Sequence, residues 1–223
     1  MCYELAQKND PNSFTNKFII GISGKKQSGK DTVASILLAL FLNKDFDYDD
    51  DVLSITANVI YKSEFMKQGY IYRFGDSLKE VCSIVNRCDR NNFENNNFKN
   101  KFSNVGDFTN RELLISVGKY FTSIDKDIWI KCLCDKIKHS RDKFVIIPDV
   151  RFNNEKEFIK TNNGIIIRIN SIFAEQSDDV SETELDDSEF DYIIENNSKR
   201  TIFNNNLLQS VKEIYDDIIK KIF

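Results

Sequence analysis

One stretch near the start of the chain restricts its fold more than any other. Residues 24–32 read GKKQSGKDT and match the pattern G-x-x-x-x-G-K. They lie between an apolar run at 18–22 and a second apolar segment at 32–42. A strand, a glycine-containing turn and a helix in this order form the context in which that pattern binds nucleotide phosphates. The sequence therefore predicts a nucleotide-binding protein.

Each part of this loop has a physical task at a nucleotide. Glycines let successive backbone N–H groups turn toward phosphate oxygens, and the start of the following helix adds positive potential. The lysine side chain is long enough to reach the β- and γ-phosphates. We therefore expect ATP to contact Gly24, Lys25, Gln27, Ser28, Gly29, Lys30, Asp31 and Thr32.

The position after the lysine departs from the usual motif. A Ser or Thr hydroxyl normally ligates Mg²⁺ there, whereas this chain has Asp31 followed by Thr32. Three interpretations stay open: Thr32 takes over as ligand, Asp31 meets the metal directly or through water, or Asp31 only favours the helix start. Asp149 ends a predicted strand, where P-loop enzymes hold the Mg²⁺ shell. The expected metal-binding residues are Asp31, Thr32 and Asp149.

The rest of the chain alternates between short apolar runs and helix-like segments. Most of the runs are apolar throughout, which is typical of parallel strands buried on both faces. The pattern predicts an α/β fold with a central parallel sheet. Strands are predicted at 18–22, 70–74, 143–149, 164–169 and 192–195, and helices at 32–42, 77–88, 109–117, 128–139, 154–160 and 207–223.

Two of the predicted helix starts carry the Ser/Thr-x-x-Glu pattern of a capping box. The pairs are Ser77 with Glu80 and Thr109 with Glu112. Between them, six asparagines at 91–100 predict a mobile polar loop. The acidic segment at 178–189 is expected to form a flap.

Composition and charge disfavour other classes of protein. The 223 residues carry a net charge of −4, whereas a protein that mainly binds nucleic-acid phosphates is usually basic. The longest apolar run, at 33–42, covers about half of the ~20 residues that span a bilayer. Residues 1–16 are polar and lack the apolar stretch of a secretory signal. These features lead us to expect a cytoplasmic protein with one domain and no stable binding to membrane or nucleic acid.

Taken in order, the motifs resemble those of the phage-type deoxynucleoside monophosphate kinases. The 24–32 loop is similar to that family's phosphate loop, and the resemblance continues from Phe18 almost to the C-terminus. The later similar segments are YRFGDSLKE at 72–80, NRELL at 110–114, WIK at 129–131, PDVR at 148–151, IRI at 167–169, SETEL at 181–185 and YIIEN at 192–196.

The resemblance implies a three-layer P-loop NTPase fold of the nucleoside monophosphate kinase type. It also implies a Mg²⁺-dependent enzyme that transfers the γ-phosphoryl group of ATP to a dNMP, giving dNDP and ADP. If viral, such an enzyme would work in the host cytoplasm, and a homodimer stays open. The implied single kinase domain has a core at 17–42, 143–170 and 190–223, an acceptor-binding helical region at 75–140 and a lid at 171–189.

The resemblance also suggests roles for individual residues. Lys30, Asp149 and Arg151 are the expected catalytic residues, and Arg168 is expected at the ATP phosphates. The expected acceptor-binding residues are Phe74, Asp76, Lys79, Arg111, Trp129 and Arg151. Arginine suits a phosphate because its planar fork binds two oxygens, and we expect Arg111 and Arg151 to meet over the carboxyl edge of the sheet. Phe74 and Trp129 would stack on the base, although core packing is the commoner role of such aromatics.

Several departures from the family pattern concern the choice of substrate more than the type of reaction. Ser77 replaces a proline of the acceptor turn, Lys119 a threonine, Asn170 an arginine and Val180 a histidine before the lid. Two alternatives stay open: a kinase like animal phosphomevalonate kinase, and a P-loop NTPase with a regulatory or nucleic-acid-stimulated role. A GTP-dependent switch is disfavoured because the sequence lacks the guanine motif N-K-x-D.

Overall fold

The structure is a computed structural model that describes residues 17–42, 71–140, 142–175, 179–197 and 205–222. The predictions made for residues 1–16 and for Tyr70 lie outside these residues. The described helices are α1 (Lys30–Leu42), α2 (Gly75–Asn86), α3 (Asn96–Lys99), α4 (Asn110–Ile124), α5 (Ile128–His139), α6 (Asn153–Thr161), α7 (Val180–Thr183) and α8 (Asn205–Ile222). None of them combines the length and apolar character of a membrane span.

The chain folds into two compact units, of which the first contains the sheet. This unit comprises the described residues up to Tyr72 and those from Lys138 onward. Its four strands pair in the order β2-β1-β3-β4, and all three pairings are parallel. The strands are β1 (Phe18–Gly24), β2 (Phe144–Val150), β3 (Ile165–Asn170) and β4 (Tyr192–Glu195). The predicted α/β fold with a parallel sheet is confirmed.

Helices cover both faces of this sheet. Ile20 and Ile22 of β1 belong to a buried core shared with apolar side chains of α1 and α8. Gly21 points to the opposite face, because side chains alternate along a strand, and it lies against Cδ1 of Ile159 in α6. Helix, sheet and helix therefore form the three layers of the predicted fold.

The pairing of β1 with β2 is irregular at Pro148. Gly21 pairs with Ile147 and Ser23 with Val150, so β2 has one residue more than β1 over this interval. Proline has no N–H for the ladder and is tolerated at such a bulge. The strand continues to Val150 instead of ending at Asp149, and the bulge places Asp149 where β2 leaves regular pairing.

The strand predicted at 70–74 is wrong for the described part of that segment. Ile71 forms a single parallel bridge with Ile146, and the Tyr72 N–H donates to the Ile146 carbonyl at 2.9 Å. The chain then turns at Phe74 and enters α2. The segment therefore touches the edge of β2 for two residues only.

The second unit, Arg73–Ile137, is helical, and one of its two predicted capping boxes is present. The Thr109 N–H donates to Glu112 at 2.7 Å, and the Glu112 N–H donates to the Thr109 hydroxyl at 3.2 Å. The Ser77–Glu80 box is wrong because α2 already begins at Gly75, which puts Ser77 inside the helix. Helix α4 also continues past Gly118, where its predicted end lay, to Ile124.

The asparagine-rich segment is ordered, so the predicted mobile loop is wrong. It forms a 3₁₀ turn at Arg90–Glu94 and the short helix α3, whose first N–H groups bond the Asn95 side chain. The Asn86 amide donates to Asn110 at 2.7 Å, and both side chains are 1% exposed. Buried amides are stabilised only when they are hydrogen-bonded, and here that pairing fixes the loop between α2 and α4.

Candidate active site

The loop between β1 and α1 has the backbone geometry that its two glycines permit. Gly24 has a φ of +153° and Gly29 a φ of +105°, values that other residues rarely adopt. A Cβ on Gly24 would lie 2.6 Å from the Ile169 carbonyl oxygen, and one on Gly29 would lie 2.6 Å from Nδ2 of Asn196. Both glycines are therefore required by conformation and by close neighbours.

Lys30 crosses the inside of this loop. Its ammonium donates to the carbonyl oxygens of Gly24 at 2.6 Å and Lys25 at 2.7 Å, and the side chain is 8% exposed. Burial, followed by the charge of Arg151, lowers the pKa of Lys30 to about 8. The charges of Glu182 and Asp31 oppose that shift. A buried cation thus lies where the G-x-x-x-x-G-K pattern places the phosphate-binding lysine.

Asn196 supports the loop from beyond the end of β4, and sequence analysis gave it no role. Its side-chain amide donates to the Ser28 carbonyl at 2.8 Å. Ser28 itself is fully buried, so it would meet a nucleotide through its backbone. The YIIEN segment signalled the strand, but nothing in it signalled this contact.

The turn after β2 is fixed by a buried carboxylate. Glu155, in the first turn of α6, accepts hydrogen bonds from the backbone N–H of Arg151 at 2.7 Å and Phe152 at 3.1 Å. Burial, and next the charge of Asp149, raises the pKa of Glu155 to about 8. Because β1 and β2 are parallel neighbours, this turn lies at the same edge of the sheet as the 24–30 loop. That edge is where open α/β sheets bind ligands.

The lid, here residues 171–175 and 179–189, brings carboxylates onto this edge. Glu182 accepts from the backbone N–H of Lys26 at 2.6 Å and pairs with the Arg151 guanidinium. Asp186 pairs with Lys25 at 3.0 Å. The predicted acidic flap is therefore a short helix with flanking turns that lies on the loop. Its acidity opposite Lys25 and Lys26 was the one sequence signal for these contacts.

Arg168 is held inside the first unit. It donates to the Ser23 hydroxyl at 3.2 Å and to Asp186 at 2.6 Å, and it lies over the Phe190 ring at 5.4 Å. The residue is predicted to contact the ATP phosphates. These contacts place it under the lid, beside the end of β1.

The candidate metal ligands lie at two neighbouring points of the sheet edge. Asp31 and Thr32 lie in the first turn of α1, and Asp149 lies at the end of β2. Among the described residues, no three His, Cys, Asp or Glu side chains cluster closely enough to hold a metal ion. Mg²⁺ usually takes one or two carboxylates and completes its shell with water and substrate phosphates. The oxygen-only donors present fit that kind of shared site.

In the second unit, two of the predicted acceptor residues belong to a charge cluster. Asp76 pairs with Arg90, and Lys79 donates to both Glu94 oxygens at 2.9 Å. Arg90 also pairs with Glu94 at 2.8 Å. Sequence analysis missed Arg90 because it lies in the segment that was predicted to be a mobile loop.

The other acceptor candidates lie on the same helical unit. Arg111, in the first turn of α4, donates to the Asn100 side chain at 3.3 Å. Trp129 is half-buried and packs edge-on against Phe121. Phe74 is 3% exposed, which favours its core role over base stacking. Arg111 and Arg151 belong to different units, and their meeting across a crevice stays a prediction.

The parallel sheet, the helices on both faces and the glycine-lysine loop between β1 and α1 define the fold class of the P-loop kinases. The family model for deoxynucleotide monophosphate kinase matches residues 48–207, more than half of the chain. The chain belongs to the deoxynucleotide monophosphate kinase family, and membership implies a phosphotransferase of nucleotide metabolism. The match begins after the 24–30 loop, so the role of that loop rests on its geometry. No individual curated protein matches the chain.

Proposed function

We propose that the protein transfers the γ-phosphoryl group of ATP to a deoxynucleoside monophosphate, with dNDP and ADP as products. The observation that carries this proposal is Lys30, a buried cation inside a glycine-bounded loop at the carboxyl edge of a parallel sheet. Family membership supplies the class of acceptor. The two arguments are independent, because the matched residues exclude the loop.

The loop would bind the β- and γ-phosphates of ATP through its backbone N–H groups and Lys30. Phosphoryl transfer of this kind needs no covalent intermediate and is catalysed by positioning and charge stabilisation. Burial strengthens the interaction of Lys30 with phosphate, because water screens it less there. With a pKa of about 8, the lysine is mostly protonated at neutral pH.

Asp31, Thr32 and Asp149 are the residues proposed to hold Mg²⁺ together with nucleotide oxygens. When bound, the ion would offset the charge of the phosphates. Asp149 would act from the bulge of β2, whose following turn Glu155 keeps in place.

Arg151 is proposed to contact the transferred phosphoryl group. Its backbone is held by Glu155, so the fork starts from a fixed position. On the acceptor side, Arg111 and Lys79 are proposed to bind the monophosphate, with Asp76 and Trp129 beside the nucleoside. Arg168 is proposed to contact the ATP phosphates from beneath the lid.

The test is a product assay with ATP, Mg²⁺ and each of the common deoxy- and ribonucleoside monophosphates in turn. We expect at least one dNMP to yield its diphosphate, with one ADP formed for each. Phosphomevalonate in the same assay separates the first alternative kinase. Single-stranded DNA added without acceptor separates the second alternative, since it would then stimulate ADP formation.

A further inference from the structure

The lid places one carboxylate on groups that the proposed function assigns to phosphate. Glu182 accepts the backbone N–H of Lys26, inside the phosphate loop, at 2.6 Å. The same carboxylate pairs with the guanidinium of Arg151 and lies near enough to Lys30 to oppose the lowering of its pKa. Its side chain is only 9% exposed, so these contacts are made away from bulk water.

A loop N–H, an arginine fork and a buried lysine are the donors that bind phosphate oxygens at a P-loop. A carboxylate presents the same kind of anionic oxygen to them. Two anions cannot use the Lys26 N–H at once, and their mutual repulsion is strong where water is scarce.

We propose that Glu182 is a built-in competitor of the nucleotide phosphates. It occupies the loop in one state of the lid and must leave when ATP binds. This inference rests on the proposed function, because it assumes that the loop binds ATP.

The other lid carboxylates do not compete in this way. Glu184 accepts the backbone N–H of Asn153, in the first turn of α6, at 2.7 Å. Glu175 and Asp186 pair with the side chains of Lys26 and Lys25, outside the loop backbone. Among the described lid carboxylates, Glu182 alone takes a backbone N–H of the loop.

The consequence is a reduced affinity for nucleotide. When only a fraction of molecules has the loop open, the apparent dissociation constant rises by the inverse of that fraction. Replacing Glu182 with Gln keeps the size of the side chain but removes its charge. The open fraction then increases, and nucleotides bind more tightly.

The experiment is calorimetric titration of wild type and Glu182→Gln with ATP, inorganic tripolyphosphate and adenosine. We expect ATP and tripolyphosphate to bind about tenfold more tightly to the variant, on the assumption that about a tenth of wild-type molecules have the loop open. Adenosine, which has no phosphate, should bind equally to both. Glu184→Gln is the matched control and should leave all three affinities unchanged.

Equal or weaker binding of ATP to Glu182→Gln would overturn the proposal, and weaker binding would make Glu182 a nucleotide-holding residue instead. An equal gain in Glu184→Gln would also overturn it, because the effect would then be one of general charge. If Glu182→Gln does not fold, Glu182→Asp provides the same test, since its shorter carboxylate should give a smaller gain of the same sign. A wild type that binds no ATP would contradict the proposed function itself, which this series detects separately.

Discussion

The ammonium of Lys30 donates a 2.6 Å hydrogen bond to the carbonyl oxygen of Gly24, the residue that opens the same loop. A lysine ammonium has three donors, and a second one binds the Lys25 carbonyl. The loop thus holds its own cation in a buried position. That arrangement lowers the pKa of Lys30 and makes its charge sensitive to pH.

We predict that ADP affinity, measured in EDTA to exclude metal, falls as pH rises through about 8. Only the protonated lysine attracts phosphate, and its pKa of about 8 means that the charge is present below this pH and lost above it. Once Lys30 is neutral in the free protein, affinity should fall by up to about tenfold per pH unit.

Lys30→Arg is the matched control for this titration, because arginine stays protonated throughout the range. Its ADP affinity should show no break near pH 8. A break at the same pH in both proteins would assign the titration to another group.

The carboxylate at the bulge of β2 should matter for the metal-dependent step. Asp149→Asn is expected to lower turnover by about 10–100-fold, the usual loss for a residue that supports a metal site, and to change ATP affinity less. Steady-state rates across a Mg²⁺ series measure this, and Mn²⁺ should replace Mg²⁺. Full activity in excess EDTA would count against any metal role.

The two arginines proposed for phosphate should differ in their kinetic effects. Arg111→Ala is expected to raise the acceptor KM, whereas Arg151→Ala should mainly lower kcat if its fork follows the moving phosphoryl group. A hydrogen bond to a charged group contributes about 1.5–3 kcal/mol, which corresponds to about one to two decades.

Kinetics with acceptor varied at saturating ATP will separate these effects. Lys119→Ala removes an exposed cation from the same helix as Arg111 and should change neither constant. If Arg111→Ala keeps kcat/KM within about twofold for every acceptor, the acceptor site lies elsewhere.

Two glycine substitutions should shift stability in opposite directions. Gly24→Ala should lower the free energy of unfolding by about 1–3 kcal/mol, because a Cβ is strained at a positive φ and would meet the Ile169 carbonyl. Gly118→Ala lies within α4, where the added Cβ has room at 3.4 Å from Leu78, and should raise it by about 0.5–1 kcal/mol. Urea denaturation measures both, and a stabilising Gly24→Ala would contradict the loop geometry.

Local patterns in the sequence predicted the parts of the fold that depend on local interactions. The strand, loop and helix around Lys30 were predicted because hydrophobic pattern and glycine placement agree there. The Thr109–Glu112 box formed because both partners lie within one helical turn. The Ser77–Glu80 pattern is equally good, yet α2 begins earlier at Gly75, which a four-residue motif cannot indicate.

Tertiary contacts explain what the sequence did not reveal. Asn86 and Asn110 are 24 positions apart, and their buried pairing orders a segment whose composition favoured a loop. Glu182 meets Lys26 across 156 positions. The acidity of the lid was visible in the sequence, but which of its carboxylates would enter the loop depends on the folded lid.

The central claim is that the protein moves a phosphoryl group from ATP to a deoxynucleoside monophosphate. The most direct measurement is chromatographic detection of diphosphate product from each dNMP with ATP and Mg²⁺, for wild type and for folded Lys30→Ala. The account predicts that at least one dNMP is converted to dNDP by wild type and that the variant forms none. Absence of dNDP from every dNMP, or undiminished product with Lys30→Ala, would contradict it.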